Sequence, residues 1–171
     1  SGTLPNNPTL AVRLTSSANL ATTATATVTV GGVSDQWTVR TLDDTQPDEF
    51  SFTDQTGVPL STLITSDTVT ITGITTGVPV TVYGDGSPQI SINGGAWATS
   101  GTITDGQSLA ARLPSPGPYS TYREATATVG YANFNWTAAW TVQTQHDTVP
   151  NAFTFTDQTN VPLSTLRTAT A

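Results

Sequence analysis

The sequence repeats itself, and this internal repeat limits the possible folds more than any other feature of the chain. Residues 50–63, FSFTDQTGVPLSTL, return as residues 153–166, FTFTDQTNVPLSTL, with twelve of the fourteen positions identical at an offset of 103. Agreement over that length is far beyond chance. It is typical of a chain built from similar units that fold in the same way.

Shorter matches extend the repeat, and their offset changes along the chain. The offset is 99 for residues 1–14, 101 for residues 24–28 and 103 for residues 37–39. We therefore expect small insertions in the second copy, one near residues 114–122 and one near residues 131–135.

The repeat divides the 171 residues into one complete unit and two partial ones. Residues 1–46 correspond to the C-terminal part of a unit, residues 47–149 form a complete unit, and residues 150–171 are the N-terminal part of a third. Neither end piece contains a counterpart of residues 69–99. Because the chain also begins at Ser1 and contains no Met, we expect it to be a piece of a longer repeating protein.

Composition and patterning predict an all-β fold. Thr fills 37 positions, whereas Lys and Met are absent, and β-branched side chains suit a pleated surface. Apolar and polar residues alternate in short runs, at residues 10–14, 24–30, 37–39, 50–52, 69–71, 78–82, 90–92, 109–113, 125–131 and 134–142. Seven or eight such runs in about 100 residues favour tandem antiparallel β-sandwich repeats of the immunoglobulin-like type.

Two details of the pattern carry further expectations. Phe134, Trp136 and Trp140 share one alternating face, so we expect these aromatic side chains in the core. Asp54 recurs as Asp157, and an Asp at that place indicates a local turn that ends the first strand.

Four segments carry a resemblance to a known class of domain. They read FSFTDQTGVPLSTLITSDTVTITGI, ISINGGAW, GTITDGQSLAARL and ATATVGYANFNWTAAWTV. Together they resemble the tandem immunoglobulin-like repeats of large bacterial surface and secreted proteins and of phage virion proteins. The resemblance implies a structural spacer or display domain without a catalytic site, located outside the bacterial cell or in a virion.

Composition argues against several classes of function. The chain has no Cys, a single His and a net charge of −7, so it lacks the ligands of a thiolate or multi-histidine metal site. Five scattered Arg do not form the basic surface of a nucleic-acid-binding protein. A membrane-spanning helix needs about 18 consecutive apolar residues, and no apolar run in the chain approaches that length. We therefore expect no membrane insertion. His146 has no evident catalytic partner, and we predict no enzyme and no catalytic residues.

The acidic linker between the first two units is the best candidate for a metal site. Asp43, Asp44, Asp48 and Glu49 lie within seven residues, and carboxylate oxygens are the ligands that Ca²⁺ prefers. A structural calcium site shared by the repeats should recur at both junctions. The next junction has only one carboxylate, Asp147, and this favours a solvated hinge instead. Apart from this calcium we expect no cofactor.

Exposed aromatic residues suggest a second kind of site. Trp97 follows the hairpin signal at residues 93–95, and with Tyr83 it could present a platform for cell-surface polysaccharide. We expect a semi-rigid spacer in a phage tail, a fibre or a bacterial surface filament, which would also serve adhesion and have neighbouring repeats or other copies as partners. The alternatives are a carbohydrate-binding accessory module of a secreted enzyme or adhesin, and a self-associating fibre subunit completed by strand addition from neighbouring chains.

Overall fold

A computed structural model describes residues 9–170, and the first eight residues of the predicted N-terminal piece and Ala171 lie outside the described residues. The described part is all-β without a helix, which confirms the predicted class. Its ten strands are β1 (Thr23–Val30), β2 (Val33–Arg40), β3 (Gln55–Val58), β4 (Leu63–Thr70), β5 (Val78–Gly84), β6 (Gln89–Ile92), β7 (Ser100–Ile103), β8 (Ser108–Pro114), β9 (Tyr122–Tyr131) and β10 (Phe134–Thr144). Within this range no helix has the length and apolar character needed to cross a membrane.

Strands β1 and β2 form a two-stranded antiparallel hairpin near the N-terminus. The turn consists of Gly31 and Gly32, whose φ angles are 59° and 84°. Two positive φ angles in succession suit the tight turns that match the twist of paired strands, and glycine adopts them without steric cost. The paired residues Val30 and Val33 flank this turn.

The other eight strands belong to residues 47–149, which we call the central unit, and form two sheets. One sheet has five strands in the order β3-β10-β9-β5-β7, and the other has three in the order β4-β8-β6. All neighbours are antiparallel except β3, which runs parallel to β10 at the edge of the larger sheet.

Both sheets contribute to one hydrophobic core, so the central unit is β-sandwich-like. Every second side chain of β5, β8 and β9 points inward, as the two-residue period of a strand requires. Trp140 on β10 is the largest fully buried side chain. The apolar side chains buried around it include Ile71, Val78, Val80, Ile90, Ile103, Leu109, Leu113, Val129 and Val142.

The aromatic face of β10 is only partly in the core. Trp140 is fully buried and Trp136 is half-buried, whereas Phe134 at the hairpin end is 55% exposed. The prediction of a continuous buried face is therefore wrong for Phe134. Phe134 pairs with Tyr131, which is 51% exposed, so strand β10 extends past the core at this end.

Some predicted strands do not form. Residues 10–14 are not a strand, although the matching residues 109–113 lie in β8. Strand β8 has β4 on one side and β6 on the other, and no such neighbours flank residues 10–14 in the described part of the chain. Residues 50–52 also precede the first strand of the central unit, which begins at Gln55.

The backbone hydrogen bonds correct the predicted insertions. Thr41 N–H donates to the carbonyl of Thr22 at 3.0 Å, and Thr144 N–H donates to Thr121 at 2.9 Å. The acceptors Thr22 and Thr121 are 99 residues apart, and the donors Thr41 and Thr144 are 103 residues apart. The two bonds close the same end of the two hairpins, so the offset grows by four between the acceptor and the donor. No insertion therefore falls near residues 114–122, and all four extra residues lie in the longer β9–β10 hairpin.

The predicted local turn at Asp54 is also wrong. Its carboxylate accepts a hydrogen bond from the backbone N–H of Thr141 at 2.7 Å. Asp54 thus joins the segment before β3 to β10, 87 residues away in sequence.

Candidate functional site

The four carboxylates of the acidic linker do not converge on one point. The side chain of Asp43 pairs with Arg40, and those of Asp44 and Asp48 bond to other partners. Within residues 9–170, no group of three or more acidic, His or Cys side chains is arranged to hold a metal ion. The calcium site predicted from these residues and Glu49 remains a prediction, without a ligand cluster to support it.

The ion pair between Arg40 and Asp43 lies at the surface. The hydrogen bond from Arg40 lowers the pKa of the Asp43 carboxyl below its ordinary value. A carboxyl with a lowered pKa contributes its stabilisation at neutral pH and loses it as the pH falls through that lowered pKa. Half of the Arg40 side chain and a third of the Asp43 side chain are exposed, so solvent screens the pair and its effect on folding is small.

The linker is bound to the central unit through Asp44. Its N–H donates to Thr75 Oγ1 at 2.7 Å, and its carbonyl accepts from Thr75 N–H at 2.9 Å. Four residues later, Asp48 N–H donates to the carbonyl of Thr72 at 2.8 Å, and the Thr72 hydroxyl donates to Asp48 Oδ2 at 2.8 Å. Pro47 between them is buried. A solvated hinge is therefore not what the structure shows at this junction.

A turn that was not predicted from the sequence recurs at both junctions. Asp44 Oδ1 accepts from Gln46 N–H at 3.0 Å, and Asp147 Oδ1 accepts from Val149 N–H at 2.9 Å. Both are Asx turns, in which the side chain caps the backbone two residues on. The signal was the Asp-Thr-x-Pro spacing, which occurs twice at an offset of 103. At the second junction, residues 145–150 are exposed.

A groove runs beside the first junction. It has a volume of about 960 Å³ and is lined in part by the apolar side chains Leu20, Leu42, Phe134 and Trp136. Phe134 and Leu42 are both more than half exposed. The groove is open, and the four carboxylates of the linker that also line it form no metal-binding group in the described part of the chain.

The two aromatic residues predicted to bind sugar lie on different sheets. Tyr83 is on β5 of the larger sheet and is 62% exposed. Trp97 follows β6 of the smaller sheet, and the guanidinium carbon of Arg112 lies 4.4 Å from its ring centroid. Arg112 is itself held by Gln89 through two hydrogen bonds. One ring face of Trp97 is thus covered, and in the described range its ring makes no close aromatic pair with Tyr83.

His146 has a partner that the sequence did not suggest. Its Nδ1 lies 2.8 Å from the hydroxyl oxygen of Ser120, a pair of groups that in other settings performs nucleophilic catalysis. Such a pair also needs a third group to orient the imidazole and a site that binds the oxyanion. In the described part of the chain, no carboxylate forms a hydrogen bond with His146, and the pair is exposed to solvent.

Comparison with known proteins adds no family. No protein-family model matches this chain, and a search of curated proteins finds no match.

Proposed function

We propose that this chain is a non-enzymatic structural module of a long extracellular filament or virion appendage. In this role, immunoglobulin-like repeats follow one another and act as a semi-rigid spacer. The internal repeat supports the proposal, because serial units with the same contacts produce an extended rather than a globular protein.

The bound linker is the observation that carries this proposal. A flexible linker would let successive units rotate freely, whereas Asp44 is held to Thr75 of the following unit by two hydrogen bonds, next to the bonds between Asp48 and Thr72 inside that unit. These contacts restrain the direction of the chain where it enters the central unit. The recurrence of the Asx turn at Asp147 supports the same arrangement at the next junction.

The proposed location and partners follow from the same role. A chain without Cys or Lys, rich in Thr and with a net charge of −7, suits exposure on a bacterial surface, in secreted material or in a virion. Its partners would be neighbouring repeats or other copies of the chain.

A distance measurement tests the stiffness of the junction. The chain contains no Cys, so spin labels can be placed on Thr27→Cys in β1 and Asp105→Cys in the loop before β8. We expect a narrow distance distribution between the labels. The combined Thr72→Val and Thr75→Val substitutions remove two hydroxyl groups from the junction and should broaden that distribution.

Thr68→Val is the matched control, because Thr68 is exposed on β4, away from the junction. It should leave the distribution unchanged. A broad distribution in the unsubstituted pair would reject the spacer proposal.

A further inference from the structure

The β9–β10 hairpin is longer than the β1–β2 hairpin, and its extra length lies beyond the core. Strands β1 and β2 end at the pair Val30 and Val33. The equivalent pair of the central unit is Val129 and Trp136, and two further pairs follow it before the turn. We call residues 130–135 the arm. At about 3.4 Å per residue, two further pairs project the arm by about 7 Å.

The arm is held in place at its base. Trp136 Nε1 donates to the carbonyl of Phe50 at 2.8 Å, which joins the base of the arm to the start of the central unit. The strand pairing continues outward as far as Tyr131 and Phe134. Phe134 is therefore presented on a paired strand rather than on a free loop, so it loses little conformational freedom when it packs against another surface.

The preceding unit, of which the structure describes residues 9–46, has a loop near its end that is fixed by hydrogen bonds. Ala21 N–H donates to the carbonyl of Leu42 at 2.7 Å. The Thr41 hydroxyl donates to the carbonyl of Asn19, also at 2.7 Å. These two bonds attach the loop to the residues that follow β2, and Leu20 lies between the two bonded loop residues.

The complete central unit repeats this loop, so the loop does not depend on strands that the N-terminal piece lacks. Ser120 N–H donates to the carbonyl of Gln145 at 3.1 Å, and the Thr144 hydroxyl donates to the carbonyl of Pro118 at 2.8 Å. The φ angle of Ser120 is 54°, and that of its counterpart Ala21 is 52°. The same loop therefore forms whether the unit is complete or partial.

Two apolar side chains at this end of the preceding unit are exposed. Leu20 is 50% exposed and Leu42 is 82% exposed. Their counterparts in the complete unit are Tyr119, which is 40% exposed, and Gln145, which is also exposed. The strands of a complete unit thus do not cover these two positions, and only a neighbouring unit is placed to do so.

The groove at the first junction brings the end loop and the arm together. Leu20 and Leu42 line it from the preceding unit, and Phe134 and Trp136 line it from the central unit. The linker between the two walls is hydrogen-bonded to the central unit at Asp44, so the walls cannot move far apart. Apolar side chains confined in this way lower their free energy when they pack together and exclude water.

We propose that the arm recognises the end of the preceding unit: Phe134 packs on Leu20 and Leu42, closes the groove and sets the angle between the two units. This inference rests on the proposed spacer role and names the surface that performs it. A hairpin that ends in the two-glycine turn of residues 31–32 has no arm. Hairpin length therefore decides whether a unit makes this contact with the unit before it.

Proton NMR tests the contact directly. In the 171-residue chain, nuclear Overhauser effects should connect the ring protons of Phe134 with the methyl groups of Leu20 or Leu42. Their loss in Phe134→Ala assigns them to this ring. A resolved spectrum without these effects would overturn the proposal.

The spin-label pair Thr27→Cys and Asp105→Cys measures the consequence for the junction. Phe134→Ala should broaden the distance distribution, because the two units lose a restraint beside the linker. Leu42→Ala should broaden it as well. The double variant should broaden it no further than the more severe single variant, since both substitutions remove the same contact. Broadening that simply adds up in the double variant would contradict the contact.

Tyr131→Ala is the matched control. Tyr131 pairs with Phe134 in the arm and is exposed to a similar extent, but it does not line the groove. This substitution should leave the distribution unchanged, and broadening equal to that of Phe134→Ala would overturn the proposal.

Failure of the contact and failure of the spacer role give different results. A broad distribution in the unsubstituted pair rejects the spacer role and the contact with it. A narrow distribution that Phe134→Ala leaves unchanged rejects the contact alone and keeps the spacer role.

Discussion

Trp37 and Trp140 are the same residue at corresponding positions, and they show how far surroundings decide the role of a side chain. The ring of Trp140 is covered by both sheets, and its Nε1 is satisfied by the carbonyl of Thr53. Trp37 stands on a two-stranded hairpin that covers only part of its ring. A tryptophan therefore anchors the core in one copy and presents an accessible apolar surface in the other.

Substitution of these two residues should have unequal consequences for stability. Trp140→Ala leaves a large cavity and an unpaired carbonyl, and should lower the free energy of unfolding by about 3–5 kcal/mol. Trp37→Ala should change it by less than about 0.5 kcal/mol in the monomer. Urea denaturation followed by far-ultraviolet circular dichroism at low protein concentration measures both. Equal losses would contradict the assignment of the core.

The backbones of β5 and β9 approach each other closely at one glycine. Gly84, the last residue of β5, has a φ of 138°, and a Cβ atom there would collide with the carbonyl oxygen of Glu124 on β9. Gly106 in the turn before β8 also has a positive φ, of 76°, but a Cβ atom would meet nothing within 4 Å. The first glycine is required by packing and conformation, and the second by conformation alone.

Gly84→Ala should therefore destabilise the central unit more than Gly106→Ala does. We expect a loss of about 1 kcal/mol for Gly106→Ala, from backbone strain alone. Gly84→Ala should cost about 3 kcal/mol or more, because the strands must also move apart. Thermal unfolding of the two variants checks the order, and a smaller loss for Gly84→Ala would show that β5 and β9 are not so closely paired.

The described part of the molecule combines one packed unit with a two-stranded hairpin before it and an exposed segment after it. The core of the central unit is continuous, whereas residues 150–170 are exposed throughout. Amides in a packed sheet exchange with solvent only through large openings, and amides of an exposed segment exchange quickly.

Hydrogen exchange should reveal this division. Amides of β9 and β10 should exchange slowly and those of residues 153–165 quickly. Equally slow exchange in the two regions would contradict this division.

The sequence alone determined the internal repeat, the all-β class and most of the buried positions. Strict alternation in residues 78–82 and 125–129 was sufficient for this, because side chains of a strand point to opposite faces in turn. It did not determine the contacts of the acidic linker, since the partners Thr72 and Thr75 are distant in sequence and belong to no motif.

Only the tertiary structure decided which copy of a repeated segment becomes a strand. Residues 55–58 form β3 beside β10, and the nearly identical residues 158–161 form no strand. A strand is stabilised by hydrogen bonds to its neighbour, and its own sequence supplies only half of each bond. The sequence therefore specifies which segments are able to pair, and the presence of a partner strand specifies which of them do.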